Sequence, residues 1–166
     1  AITEELRAVW QCFGEEVLRE VPEEDFLAAL PQVRKAAGDR AVNRAFHIYA
    51  ENRRAEAEAQ ALRDGDFDRF LTLVRDSGRS SAMYLQNVIP TGQTTAQELM
   101  VTIALCERIL AGRGAVRVHG GGFGGTAQAF GPLDMLERFK EKTEAVLGQG
   151  SCHVVTIRPE GGVRLA

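Results

Sequence analysis

Between Arg117 and Thr126 the chain reads Arg-Val-His-Gly-Gly-Gly-Phe-Gly-Gly-Thr, and five of the six residues from Gly120 to Gly125 carry no side chain. Such a stretch lets the backbone take positive φ angles and come close to another backbone or to an anion. It formally satisfies G-x-G-x-x-G at Gly120, Gly122 and Gly125, so the first question is whether it binds a dinucleotide. That fingerprint must lead from a strand into a helix, because the pyrophosphate sits on the helix N-terminus. Ala115-Val116-Arg117-Val118 supplies a strand, but Thr126-Ala127-Gln128-Ala129-Phe130 alternates like a second strand and stops at Gly131-Pro132. No Gly-Lys-Ser/Thr follows either, so the loop is not a Walker loop. A strand, a glycine loop and a second strand remain. A hairpin needs two or three special residues rather than five glycines in six. The loop is therefore expected to approach an anion or a neighbouring loop; the plainer alternative is a tight connection past which another backbone runs.

Upstream of the loop the pattern is helical. Leu6, Val9, Trp10, Phe13 and Val17 fall on one stripe at i, i+3, i+4 spacing. Pro22 starts a short helix through Phe26, Leu27 and Leu30. Asp39 is a candidate N-cap for a long helix from Arg40 to about Leu62, whose flank from Glu51 to Glu58 reads as a mostly solvated face. Gly65-Asp66 ends that helix and caps another carrying Phe67, Phe70, Leu71 and Val74. Ser77 to Ser81 reads as a polar break, Pro90-Thr91-Gly92 as a turn, and Thr95-Ala96-Gln97-Glu98 as a capping box. That box launches a helix through Leu99, Ile103, Cys106 and Leu110, ended by Gly112 and Gly114.

Beyond the loop, Pro132 opens a helix carrying Leu133, Leu136, Phe139, Thr143, Val146 and Leu147, closed by Gly148. His153-Val154-Val155-Thr156-Ile157 is a strand signal, Pro159 to Gly162 a turn, and Val163-Arg164-Leu165 a short last strand. The fold class expected is α+β: N-terminal helices, then a small, mostly antiparallel four-stranded sheet with a helix crossing it.

The 166 residues suit one domain spanning 1–166. An apolar content of 45% argues against disorder, and a formal charge of −3 without a basic run disfavours nucleic acid. No apolar stretch approaches the roughly 18 residues of a membrane span, and no signal peptide is recognised, so neither a membrane nor a secretory route is expected. Cys12, Cys106 and Cys152 are far apart and odd in number, which fits a reduced, cytoplasmic setting with buried thiols. The opening Ala1-Ile2-Thr3 lacks methionine and permits a piece of a longer protein. None of the three histidines is read as paired at metal-ligand spacing with another His, Cys or carboxylate, and no Gly-x-Ser-x-Gly nucleophile is present. His47 and His153 read as structural histidines. His119 borders the loop, and a role there and a structural one both stay open.

Three blocks in order resemble the C-terminal half of galactokinases, in the sugar-kinase branch of the GHMP small-molecule kinases. The first runs from Arg44 to Arg54, with His47 followed by Glu51-Asn52-Arg53-Arg54, and is similar to a family helix with histidine and Glu-Asn-x-Arg. The second comprises Gly65-Asp66-Phe67, Phe70, Leu73 and Ser77. The third, Arg117 to Gly125, resembles the family's third motif, which ends Gly-Phe-Gly-Gly. The similarity spans about residues 40 to 130. Here His119 stands where the motif commonly has Thr and Gly121 where it has Ala. Leu71 replaces a usual glycine, Gly78 a frequent histidine, and a Pro-Glu-Leu-Asp segment is replaced around Tyr84 to Pro90.

The resemblance implies a GHMP C-terminal domain in an enzyme that phosphorylates galactose at its anomeric hydroxyl. ATP and Mg²⁺ would serve the full-length enzyme, with none bound by this chain alone. It implies an N-terminal half that supplies the phosphate loop, the sugar-recognising motif and the catalytic aspartate, none of which occurs here. Catalytic and metal residues in this chain are therefore expected to be none. His119, Gly120, Gly121, Gly122, Phe123, Gly124 and Gly125 would form the loop beside the nucleotide phosphates and substrate. The partners implied are that N-terminal half and a small sugar. A GHMP kinase for another sugar or small alcohol, and a non-catalytic module that senses ligand or binds protein, are the alternatives. An exposed apolar face is expected where the other half would pack.

Overall fold

The computed structural model describes residues 2–123 and 125–157. Helix α1 (Ile2–Gln11) is followed by a short 3₁₀ turn (Leu18–Glu20), then α2 (Glu23–Ala28) and α3 (Leu30–Ala37). The long α4 (Asp39–Arg63) packs antiparallel to α5 (Phe67–Ser80), which runs on into a π-helical turn, Ser81–Leu85. Helix α6 (Glu98–Leu110) leads into the hairpin β1 (Ala115–Val118) and β2 (Ala127–Phe130), and a 3₁₀ turn (Leu133–Met135) into α7 (Leu136–Leu147). The strands are antiparallel, with Ala115 opposite Phe130 and Val118 opposite Ala127.

Four apolar clusters hold these elements. Val9, Phe26, Val33, Val42, Ala45 and Tyr49 join α1–α3 to the first half of α4. Phe26 meets Phe46 edge-on at 5.2 Å, and the Tyr49 hydroxyl donates to the Val21 carbonyl at 2.9 Å. Ala61, Phe70, Leu71, Val74 and Ala115 join α4, α5 and β1, and Phe70 meets Phe130 of β2 edge-on at 5.3 Å. Cys106, Leu110, Val116 and Met135 fill the space between α6, β1 and α7. Val88, Leu99 and Val118 lie beneath the glycine loop. Strand β1 is thus enclosed by α5 and α6, which fixes the root of the loop.

The sequence expectations hold for most helices and for the hairpin, and fail at identifiable places. The helix expected to run from Pro22 through Leu30 breaks at Ala29, and α3 starts with Pro31 in its first turn. Proline has no N–H with which to continue the ladder of α2. Gly14, at φ +75°, follows the end of α1, and Val17 is exposed rather than on the stripe. Gly38, not Asp39, is the N-cap of α4, and the Asp39 carboxylate accepts from Arg34 at 2.7 Å. Asp66 does cap α5, accepting from the Arg69 N–H at 3.0 Å. The capping box at Thr95 is not formed: Gln97 is the N-cap of α6 and makes no side-chain cap.

Two further corrections concern the tail and the thiols. Residues 151–157 carry no strand, and His153, Val154, Val155 and Ile157 are exposed. Alternating apolar residues form a strand only against a paired edge and a covered face, and the described residues offer this segment neither. The sheet is therefore two-stranded among the described residues; Val163 to Leu165 lie outside them. Cys106 is buried as expected, whereas Cys12 is exposed and Cys152 half-buried. Among the described residues no helix is long and apolar enough to cross a membrane.

Candidate functional site

The glycine loop closes the β1–β2 hairpin. The His119 N–H donates to the Thr126 carbonyl at 3.0 Å, one pair beyond the last strand residues. From there Gly120 (φ +63°), Gly122 (φ +75°), Phe123 (φ +55°) and Gly125 (φ +78°) all take the left-handed region. His119, Gly120, Gly121, Phe123 and Gly125 are exposed, and Gly122 is half-buried; Gly124 lies outside the described residues.

The close approach that the glycines allow is realised at Gly122. A Cβ there would fall on the Asn87 carbonyl oxygen, with Asn87 Cβ 2.7 Å and Cγ 2.8 Å away. The same carbonyl accepts the Phe123 N–H at 2.9 Å. The neighbour is therefore the segment that follows α5. Both readings left open by the sequence meet at this point, for the connection is tight and another backbone does pass closely. At Gly120, Gly121 and Gly125 an added Cβ would meet nothing within 4 Å. That flank of the backbone is open.

Beneath the loop lies a polar seam that joins the three sequence blocks. Helices α4 and α5 run antiparallel, so His47 and Glu51, four apart, face Ser80 and Ser77, three apart. The Ser77 hydroxyl donates to Glu51 Oε1, and the same oxygen accepts from Arg117 Nη1 of β1 at 3.1 Å. Arg54 donates to Oε2 of the same carboxylate. His47 Nδ1 lies 2.9 Å from the Ser80 hydroxyl. Ser77 and His47 are buried, and the side chains of Glu51 and Arg117 keep about a quarter of their surface exposed. Arg117 Nε also donates to the Val118 carbonyl at 3.1 Å, so this side chain braces the strand that enters the loop.

The charges follow from this packing. Burial pushes the Glu51 carboxyl up, but the Ser77 hydroxyl, Arg117, Arg54 and His47 outweigh it and hold it below its ordinary 4.5. Burial holds the His47 imidazole below 6.5, with Arg54 and Arg117 adding to the effect and the Glu51 carboxylate opposing it. Burial and Glu51 both push the Glu58 carboxyl up. The seam thus holds an ionised Glu51 and a neutral His47 at pH 7. Through Arg117 it can orient β1, and so the root of the loop.

Sequence reasoning gave the loop and missed the seam. Ser77 to Ser81 reads as a polar break, yet α5 continues as far as Ser80, because the Ser77 and Ser80 hydroxyls turn inward onto α4 and Gly78 lets β1 close in. A Cβ at Gly78 would stand 2.9 Å from the Val116 carbonyl and 3.0 Å from Arg117 Cβ. Glu51 reads as solvated because its neighbours are charged. The signal that could have found it is the match of the 47/51 and 77/80 spacings on facing helices. Of the expected site residues, His119 to Phe123 and Gly125 sit together in the loop. His153 is exposed and belongs to no strand. Among the described residues, no group of three or more His, Cys, Asp or Glu side chains is placed to hold a metal ion.

Fold and site together define a helical α+β unit presenting a braced glycine hairpin. No family model matches the chain. It is 27% identical over 138 residues to the galactokinase of Mannheimia succiniciproducens, covering 83% of this chain and 34% of that protein. It is also 27% identical over 131 residues to the galactokinase of Glaesserella parasuis, covering 79% of this chain and 32% of that protein. The chain spans about a third of the length of the curated relatives it matches. This similarity points to galactokinase or a related GHMP-type kinase.

Proposed function

We propose that this chain is the C-terminal domain of a galactokinase-like enzyme, transferring phosphate from ATP-Mg²⁺ to the anomeric hydroxyl of galactose together with an N-terminal half. The observation that carries the reading is the Glu51 carboxylate. It ties the first block to the second through Ser77 and to the third through Arg117, at the root of the loop. Blocks that resemble one family in sequence thereby form one physical unit.

Phosphoryl transfer depends on positioning and on stabilising charge around the phosphates. The loop suits one wall of such a site. Its flank at Gly120, Gly121 and Gly125 offers backbone with open space around it, to which an anion can come close. The Phe123 N–H is not available for that purpose, since Asn87 holds it. Magnesium would be held by carboxylates of the other half. In this reading the exposed Val154, Val155 and Ile157 belong to the face that the other half covers.

The test is sugar profiling of a longer protein that carries this chain. Galactose-dependent release of ADP, absent with other hexoses, is the expected result, and the 166-residue chain alone should give none. No turnover of any sugar or small alcohol by the longer protein would sink the kinase reading and favour a non-catalytic module.

A further inference from the structure

We infer that Asn87 is a positioning residue for the glycine loop, acting through its main-chain carbonyl and through the side chain wedged under Gly122. Asn87 is 1% exposed and lies outside every block that carries the resemblance. Its carbonyl receives the Phe123 N–H in the middle of the loop, and its Cβ and Cγ fill the space where any side chain at position 122 would go.

That carbonyl is itself held from both sides. Upstream, the π-helical turn closes with the Gln86 N–H donating to the Ser81 carbonyl at 2.8 Å, and Gln86 takes φ +56°. Left-handed backbone is strained for a residue with a side chain and persists only when its surroundings hold it. Here the holder is Arg44 of α4, 1% exposed, whose Nε donates to the Leu85 carbonyl at 3.0 Å. Arg44 is in turn paired with Glu5 of α1 at 2.8 Å. Downstream, Val88 packs on Leu99 and Val118 under the hairpin. Asn87 therefore sits between a pinned turn and a packed valine, with little freedom to follow the loop.

The consequence is a loop held at its centre as well as at its root, with open space beside Gly120, Gly121 and Gly125. Phe123, a non-glycine residue at φ +55°, is kept in that region by the bond to Asn87. The setting of the loop stands on this geometry; only its effect on phosphoryl transfer rests on the kinase reading.

Amide hydrogen exchange of the 166-residue chain, read residue by residue by NMR, tests the inference. In the unsubstituted chain the Phe123 amide should be protected. Asn87→Ala should speed its exchange about tenfold and Asn87→Gly by more, while amides within α5 and α6 keep their rates. An unprotected Phe123 amide in the unsubstituted chain overturns the inference. So does acceleration of Phe123 in step with the whole core, or no change in Asn87→Ala. In the longer protein, Asn87→Ala should lower kcat about tenfold with KM for galactose held within about twofold. A rise in KM alone overturns the effect on transfer. Absence of all turnover in the unsubstituted longer protein would instead sink the kinase reading, leaving the exchange result to decide the role of Asn87.

Discussion

Alanine substitution along the loop separates backbone strain from close packing, because adjacent glycines differ in one property at a time. Gly121 has neither a positive φ nor a neighbour within 4 Å, so Gly121→Ala should stay within about 0.5 kcal/mol of the unsubstituted chain. Gly120 has open space but φ +63°. Its alanine bears the left-handed penalty alone, about 1–2 kcal/mol. Gly122 has φ +75° and the Asn87 carbonyl where its Cβ would go. Its alanine bears the same strain and also lifts the loop off Asn87, losing a buried hydrogen bond worth about 0.5–1.5 kcal/mol. Once the loop has detached the cost stops growing, so Gly122→Ala should total roughly 2–3 kcal/mol. Each kcal/mol moves the melting temperature of a chain this size by roughly 2–4 °C. The three variants should therefore melt in the order 121, 120, 122, with the last roughly 5–10 °C below the unsubstituted chain. Thermal unfolding followed by circular dichroism reads this directly. Equal losses at 120 and 122, or a loss at 121 as large as that at 122, would refute the packing of the loop on Asn87.

Two further outcomes follow from the seam. Glu51→Gln keeps the shape and removes the charge that Arg117 and Arg54 share. It should cost about 2–4 kcal/mol in urea unfolding, and Ser77→Ala less, about 1–2 kcal/mol; a double-mutant cycle showing no coupling between the two would contradict the shared hydrogen bond. Both His47 and Glu51 have folded pKa values below their ordinary ones, so the folded state binds fewer protons than the unfolded state in each window. Stability should then fall with acidification, first below pH 6.5 as His47 resists protonation and again below pH 4.5 through Glu51. His47→Gln should flatten the first fall in urea midpoints, and a curve parallel to that of the unsubstituted chain between those two pH values would rule out the buried neutral imidazole.

How much of this was legible in the sequence depended on whether a residue's partner was near in the chain. The hairpin was readable because its two strands flank the glycines directly. Asp66 was readable as a cap because it bonds within its own first turn. Glu51 was not, because its partners Ser77 and Arg117 lie 26 and 66 positions away, and only packing reveals that they converge. The strand expected at 153–157 failed for the complementary reason. Its pattern is sufficient for a strand, but an edge to pair with must come from elsewhere.

The two polar rungs between α4 and α5, His47 to Ser80 and Glu51 to Ser77, also determine where the chain can lengthen. Each extra residue inside a helix turns everything beyond it by about 100°. One residue inserted between Asp66 and Asp76 would swing both serines away from α4 and set the Asp76 carboxylate opposite Glu51 and Arg79 opposite His47. The same residue inserted between Arg63 and Asp66, where the chain already turns, leaves both rungs aligned. Length variants of this protein should therefore accumulate in that turn and be absent from the eleven-residue span that follows it, from Asp66 to Asp76.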